Sequence, residues 1–112
     1  MVVGSRAEWF EWGPHRYDIA RAKEEAAARP HEQALLPVAS WAKMLGVMRI
    51  EADHVPTRPL DEPLLLVRMG GPEGTVMVID GWHRIAKAQA DGVAELPAIL
   101  LDAAGEEACR LR

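Results

Sequence analysis

Residues 78–88 run Val78-Ile79-Asp80-Gly81-Trp82-His83-Arg84-Ile85-Ala86-Lys87-Ala88 and hold the junction of a strand and a helix. Val78-Ile79 ends a strand, Asp80-Gly81 turns the chain, and the pattern beyond is helical from about Trp82 to Asp91, where Gly92 stops it. The junction poses a chemical question. A helix N-terminus carries partial positive charge and favours acids, yet His83 and Arg84 sit together in the first turn. Two basic side chains there require a negative partner.

Working outward, Pro63 introduces a strand, Leu64–Met69, and Gly70-Gly71-Pro72-Glu73-Gly74 reverses the chain into a second, Thr75–Ile79. This predicts an antiparallel hairpin, and its continuous apolar residues predict burial on both faces. Leu96–Leu101 follows as a strand with Pro97 near its start, and the remainder is expected to fray. Upstream, Asp18 caps a helix that carries Ile19, Ala22 and Ala26 on one face and ends at Arg29, before Pro30. Its alanines give propensity but little apolar area, so it is expected on the outside. Gln33–Ala39, interrupted by Pro37, reads as an edge strand. Ser40 is expected to cap a short helix over Trp41–Leu45, closed by Gly46, with Trp41, Met44 and Leu45 buried and Val47, Met48 and Ile50 continuing the core. Residues 51–62, with Pro56 and Pro59, read as a loop. Trp9, Phe10 and Trp12, ahead of Gly13-Pro14, read as an aromatic clasp on the core. The expected fold class is α/β in the mixed α+β sense, a small mixed sheet with flanking helices. We expect a single domain, 1–112, with an aromatic N-terminal segment (1–16), a core (53–102) and a tail (103–112).

Composition narrows the function. The chain has 112 residues, 49% hydrophobic and 27% charged, which is ordinary for one globular domain. A net charge of −4 opposes a whole-surface attraction to nucleic acid or anionic membrane. One cysteine, Cys109, rules out an intramolecular disulfide and suits a reducing compartment. No basic segment with an apolar run opens the chain, and no apolar run is long enough to span a bilayer, so a cytoplasmic location is expected. The four histidines, His15, His31, His54 and His83, show no paired metal-ligand spacing, so no metal site is expected.

At Asp80–Arg84 two readings stand side by side. In one, Gly81 lets a ligand approach, the helix N–H groups make an anion site, Arg84 adds a bidentate guanidinium, and His83 donates further bonds to a phosphate. In the other, Asp80 caps the helix and pairs with Arg84 four residues on, needing no ligand. Trp82 either stacks on a base or packs in the core. Gly13-Pro14-His15-Arg16 echoes the motif, with Arg16 a reserve candidate for the same pocket.

The segment from about 53 to 102 resembles the ParB/sulfiredoxin superfamily. Its members have a strand, a turn, a second strand running into a D-G-x-x-R or G-C-H-R element, a short alanine-rich helix and an "lPa" strand. Here these are Pro63–Val67, Gly70–Gly74, Thr75–Ile79, Asp80–Arg84, Ile85–Gly92 and Leu96–Leu101. The resemblance implies that Gly81, His83 and Arg84 grip nucleotide phosphates, with Asp80 orienting the helix or a metal-bound phosphate. The implied cofactor is a nucleoside triphosphate with Mg2+, and the implied partner a nucleotide or another phosphorylated small molecule. Where sulfiredoxins carry the catalytic cysteine this chain has Trp82, which forms no thiolate, so it is not a functional sulfiredoxin. The Asn/Arg motif that completes a ParB site is not located; its place would be in or before the loop holding His54, Thr57 and Arg58. ParB's helix-turn-helix is also missing, so direct DNA binding is not expected. A free-serine kinase branch shares the motif and adds carboxylates; Glu51, Asp53 and Asp61 are the weak candidates for such a base, and equally suit a solvated acidic loop. Two functions follow. One is nucleotide binding at Asp80–Arg84, with phosphoryl transfer or nucleotide hydrolysis as the reaction class. The other is a non-catalytic interaction or dimerisation module that kept the fold and lost the chemistry, forming a homodimer or holding a protein partner through its aromatic N-terminal segment.

Overall fold

The apolar run Leu64-Leu65-Leu66-Val67 lies on an inner strand of a four-stranded sheet and is buried on both faces, as its unbroken hydrophobicity requires. The computed structural model describes residues 9–47, 60, 62–71 and 73–111. In chain order these form β1 (Trp9–Trp12), β2 (His15–Asp18), α1 (Ile19–Ala28), β3 (Glu32–Pro37), α2 (Val38–Ala42), a 3-10 turn (Leu45–Val47), β4 (Leu64–Met69), β5 (Thr75–Asp80), α3 (Trp82–Asp91), β6 (Glu95–Leu100) and α4 (Ala103–Cys109). The sheet order is β3-β6-β4-β5, with β6 parallel to β4 and the other two pairings antiparallel. A mixed sheet flanked by helices is the α+β architecture expected. Helices α1 and α4 pack on each other, as do α2 and α3.

Local chemistry explains the boundaries. Asp18 caps α1 by accepting from the Arg21 N–H at 3.2 Å, and Ile19 and Ala22 are its buried residues. Gly92, at φ 73°, closes α3 and donates to the Ala88 and Gln89 carbonyls. Pro97 is tolerated inside β6 because β4 begins only at Leu64, opposite Ala98.

Two expectations are corrected. The helix placed at Trp41–Leu45 begins earlier, at Val38, with Pro37 as its cap, so Ser40 lies inside it. The reason is tertiary: the Val38 N–H donates to the Ala94 carbonyl at 2.9 Å, so that end needs no side-chain cap. The segment 103–112, expected to fray, carries helix α4. Asp102 caps it through the Gly105 N–H at 2.7 Å, and Cys109 is fully buried. The aromatic segment is a hairpin, with Phe10 and Tyr17 in the core. Tyr17 donates to Glu106 at 2.7 Å and pairs with Arg110, tying β2 to α4. Trp41, Met44 and Leu45 pack partly buried against the core. Met48 and Ile50, the Val47 side chain and residues 51–59 lie outside the described part of the chain.

Candidate functional site

The end of β5 is aimed by an irregularity. Leu66 pairs with Val78 but Leu65 with Asp80, so Ile79 is an extra residue, and the bulge turns Asp80 toward the start of α3. There the Arg84 Nη2 group donates to Asp80 Oδ2 at 3.0 Å. Nη1 donates to the Glu62 and Pro63 carbonyls at 2.5 and 2.8 Å. Arg84 is 1% exposed and Asp80 8%. The negative partner that the basic first turn requires is therefore a carboxylate of the chain itself, helped by two main-chain oxygens. A planar fork serves three acceptors in one plane, which a lysine ammonium does less well.

Gly81 makes the close approach possible. Its φ of 115° lies in the left-handed region, and a Cβ there would come 2.2 Å from Leu64 Cδ2 and 3.1 Å from Arg84 Nη2. Among the described residues no side chain caps α3 at Gly81; Asp80 pairs with Arg84 and does not serve as the cap. Trp82 is 2% exposed, donates Nε1–H to the Val78 carbonyl at 2.9 Å and meets Trp41 edge-on at 5.9 Å between ring centroids. Its indole is packed, with neither face presented to solvent. His83 is half-buried.

The structure thus brings Asp80, Gly81 and Arg84 together. Arg16 sits elsewhere, on β2, bonded to Glu11 at 2.7 Å and lying over Trp9. Glu51, Asp53 and Asp61 lie outside the described residues. The Glu62 and Pro63 carbonyls are the site's unforeseen members, since a main-chain oxygen leaves no mark in a sequence. Cys109 is buried beside Glu106, and burial pushes its thiol up to about 12, so it offers no thiolate near neutral pH.

Two clefts adjoin these elements. One, of about 230 Å³, lies between Lys23 and Ala26 of α1 and Leu65, Asp80 and Ile99 of the sheet. It is smaller than the roughly 300–1,000 Å³ usual for small-molecule sites. The other, of about 310 Å³, sets Arg68 among Glu32, Asp102 and Glu106. Asp102 and Glu106 are paired with Arg29 and Arg110, so the cleft carries no net positive charge to draw a phosphate. Among the described residues no group of His, Cys, Asp and Glu is placed to hold a metal ion, and no helix is long and apolar enough to cross a membrane.

Compared with protein-family models, curated proteins and solved structures, the chain matches none.

Proposed function

We propose that this chain is a non-catalytic binding module in which the strand–DGWHR–helix element is scaffold. One observation carries the reading: the guanidinium that a phosphate would need is buried and already donates to Asp80, Glu62 and Pro63. A bound phosphate would have to displace an internal carboxylate and bring more negative charge beside it. That costs several kcal/mol per desolvated ion. The packed Trp82 and the protonated Cys109 thiol support the same reading, since neither is placed for base stacking or thiol chemistry.

A second reading, Mg2+-nucleotide binding at Asp80–Arg84 with phosphoryl transfer or hydrolysis, rests on the resemblance to ParB and sulfiredoxin domains. The absence of a side-chain cap at Gly81 favours it, because the first-turn N–H groups of α3 then suit an anion. A thermal-shift screen of the four ribonucleoside triphosphates, with and without Mg2+, separates the two. The module reading expects no shift. A ligand at a hundred times its Kd would stabilise by about 2.7 kcal/mol, several degrees for a domain of this size, and a shift of that kind would refute it.

A further inference from the structure

The sheet has two edges, and they are treated differently. In β5, Met77, Val78, Ile79 and Asp80 are buried, Val76 is half-buried and Thr75 is exposed, so most of that edge is out of solvent. In β3, every residue but Leu36 is exposed. Natural edge strands avoid pairing by carrying charged side chains or prolines, bulges or inward-pointing charges, or by being very short. Strand β3 has six residues and pairs with β6 in unbroken register; its one charge, Glu32, and its one proline, Pro37, stand at its two ends and leave Gln33–Leu36 between them without either. Leu35 projects from it at 63% exposure, one of two large hydrophobic side chains so exposed among the described residues. Beside it an apolar cleft of about 420 Å³ is lined by Leu35, Pro63, Pro97, Ala98 and Ile99.

The pattern of main-chain donors can be worked out. Val38 N–H donates to Ala94 O, so that pair is a hydrogen-bonded one. Antiparallel pairs alternate, which makes Leu36–Leu96 and Ala34–Ala98 hydrogen-bonded and turns the N–H and C=O groups of Gln33, Leu35 and Pro37 outward. Pro37 lacks an N–H, so the free edge offers two donors and three acceptors.

We propose that β3 is the seam of a homodimer, in which two copies pair antiparallel about Leu35 to make one eight-stranded sheet; the inference rests on the binding-module reading above. In this register Leu35 exchanges both main-chain bonds with Leu35 of the second copy. Gln33 N–H meets the Pro37 carbonyl, so every outward N–H finds an acceptor. The proline falls where its missing donor leaves only the Gln33 carbonyl of each copy to water. The two Leu35 side chains meet across the seam, next to the Pro97–Ile99 cleft of each copy. Charge does not oppose the pairing: the two Glu32 residues fall about 20 Å apart, beyond a Debye length of about 8 Å. An uncharged strip thus meets an uncharged strip. The seam is only six residues long, and we expect a reversible dimer with a Kd on the order of micromolar.

The test is sedimentation equilibrium of the full chain at pH 7 from about 5 to about 500 µM, spanning that range of Kd, for the wild type and Leu35→Lys. The wild type passes from monomer to dimer, and Leu35→Lys stays monomeric throughout with the Tm of dilute wild type, because the side chain is exposed in the monomer. Amide exchange adds a second readout. The Gln33 and Leu35 amides become protected as concentration rises, whereas Ala34 and Leu36 are protected at all concentrations. A wild type that stays monomeric to the top of the range, or a dimer that survives Leu35→Lys, overturns the seam. So does protection of these amides only on adding an unrelated extended peptide, which would assign the edge to a different partner. Failure of the underlying reading looks different: a nucleotide-dependent rise in Tm removes it, whatever the oligomeric state.

Discussion

Removing the Arg84 guanidinium should unfold this protein at markedly lower temperature. Arg84→Ala leaves the Asp80 carboxylate, 8% exposed, without its cation, and leaves the Glu62 and Pro63 carbonyls without a donor. Breaking a buried ion pair by deleting one partner costs about 3–5 kcal/mol, because the survivor keeps its desolvation penalty. At about 4 °C per kcal/mol for a domain of this size, the apo Tm falls by roughly 12–20 °C. The double variant Asp80→Leu/Arg84→Met separates charge from packing. With both charges gone the penalty of the stranded carboxylate disappears, and the double variant should be more stable than Arg84→Ala alone. Arg84→Lys should fall between the wild type and Arg84→Ala, since an ammonium keeps the charge but not the planar fork. Thermal unfolding followed by circular dichroism at neutral pH measures all four proteins. An Arg84→Ala protein that melts within two or so degrees of wild type, a difference of about half a kcal/mol, would refute the scaffold argument. If it had also lost a nucleotide-induced shift, the motif would be a ligand site.

Gly81→Ala forces a side chain into the left-handed region and 2.2 Å from Leu64 Cδ2. The backbone term alone is about 1–3 kcal/mol, and the clash adds to it, so urea unfolding should show a loss of at least about 2 kcal/mol. Asp102 is held at about 2, against an ordinary 3.8, first by the Arg29 fork and then by the Gly105 N–H. Its folded value is depressed, so its contribution is present above pH 4 or so and is lost as pH falls from there through about 2. Wild type should therefore lose more Tm than Asp102→Asn across that window, and parallel curves would refute the pairing. Tyr17, raised first by burial and then by its bond to Glu106, stays neutral in the fold well above its usual range. Its contribution is full below about pH 10 and falls as pH rises beyond, where the unfolded chain ionises first. Tyr17→Phe should cost about 1–2 kcal/mol at pH 7 and flatten that alkaline limb, as pH-dependent unfolding will show.

The elements that were legible in the sequence are those with local punctuation. Strand β4 and helix α3 fall where expected because Pro63, the Gly70–Gly74 turn, Gly81 and Gly92 bracket apolar runs of the right period. Elements set by distant partners were not legible. The start of α2 depends on the Ala94 carbonyl across the sheet. Helix α4 is hidden by Gly105, a poor helix former by about 1 kcal/mol, which is needed because a Cβ there would press on Asp102 and Leu101. The β1–β2 hairpin is too short, at four residues per strand, to show alternation. At the site, the Asp80–Arg84 spacing was readable as an i,i+4 pair, whereas the carbonyls of Glu62 and Pro63 were not.

The same residues could be read as a ligand site and as a lock for one physical reason. A guanidinium at a helix N-terminus is unfavourable until an anion joins it, and the sequence does not say whether that anion is bound or built in. Here the bulge at Ile79 brings a carboxylate within 3.0 Å, and the absence of a Cβ at Gly81 keeps that approach free. Once Asp80 is in place, a phosphate adds repulsion rather than relieving it. The motif then fixes the chain entering β4 to the helix leaving β5, through Glu62, Pro63 and Arg84. On the binding-module proposal, contact is made elsewhere on the surface, and among the described residues the exposed edge of β3 leaves main-chain hydrogen bonds to be made.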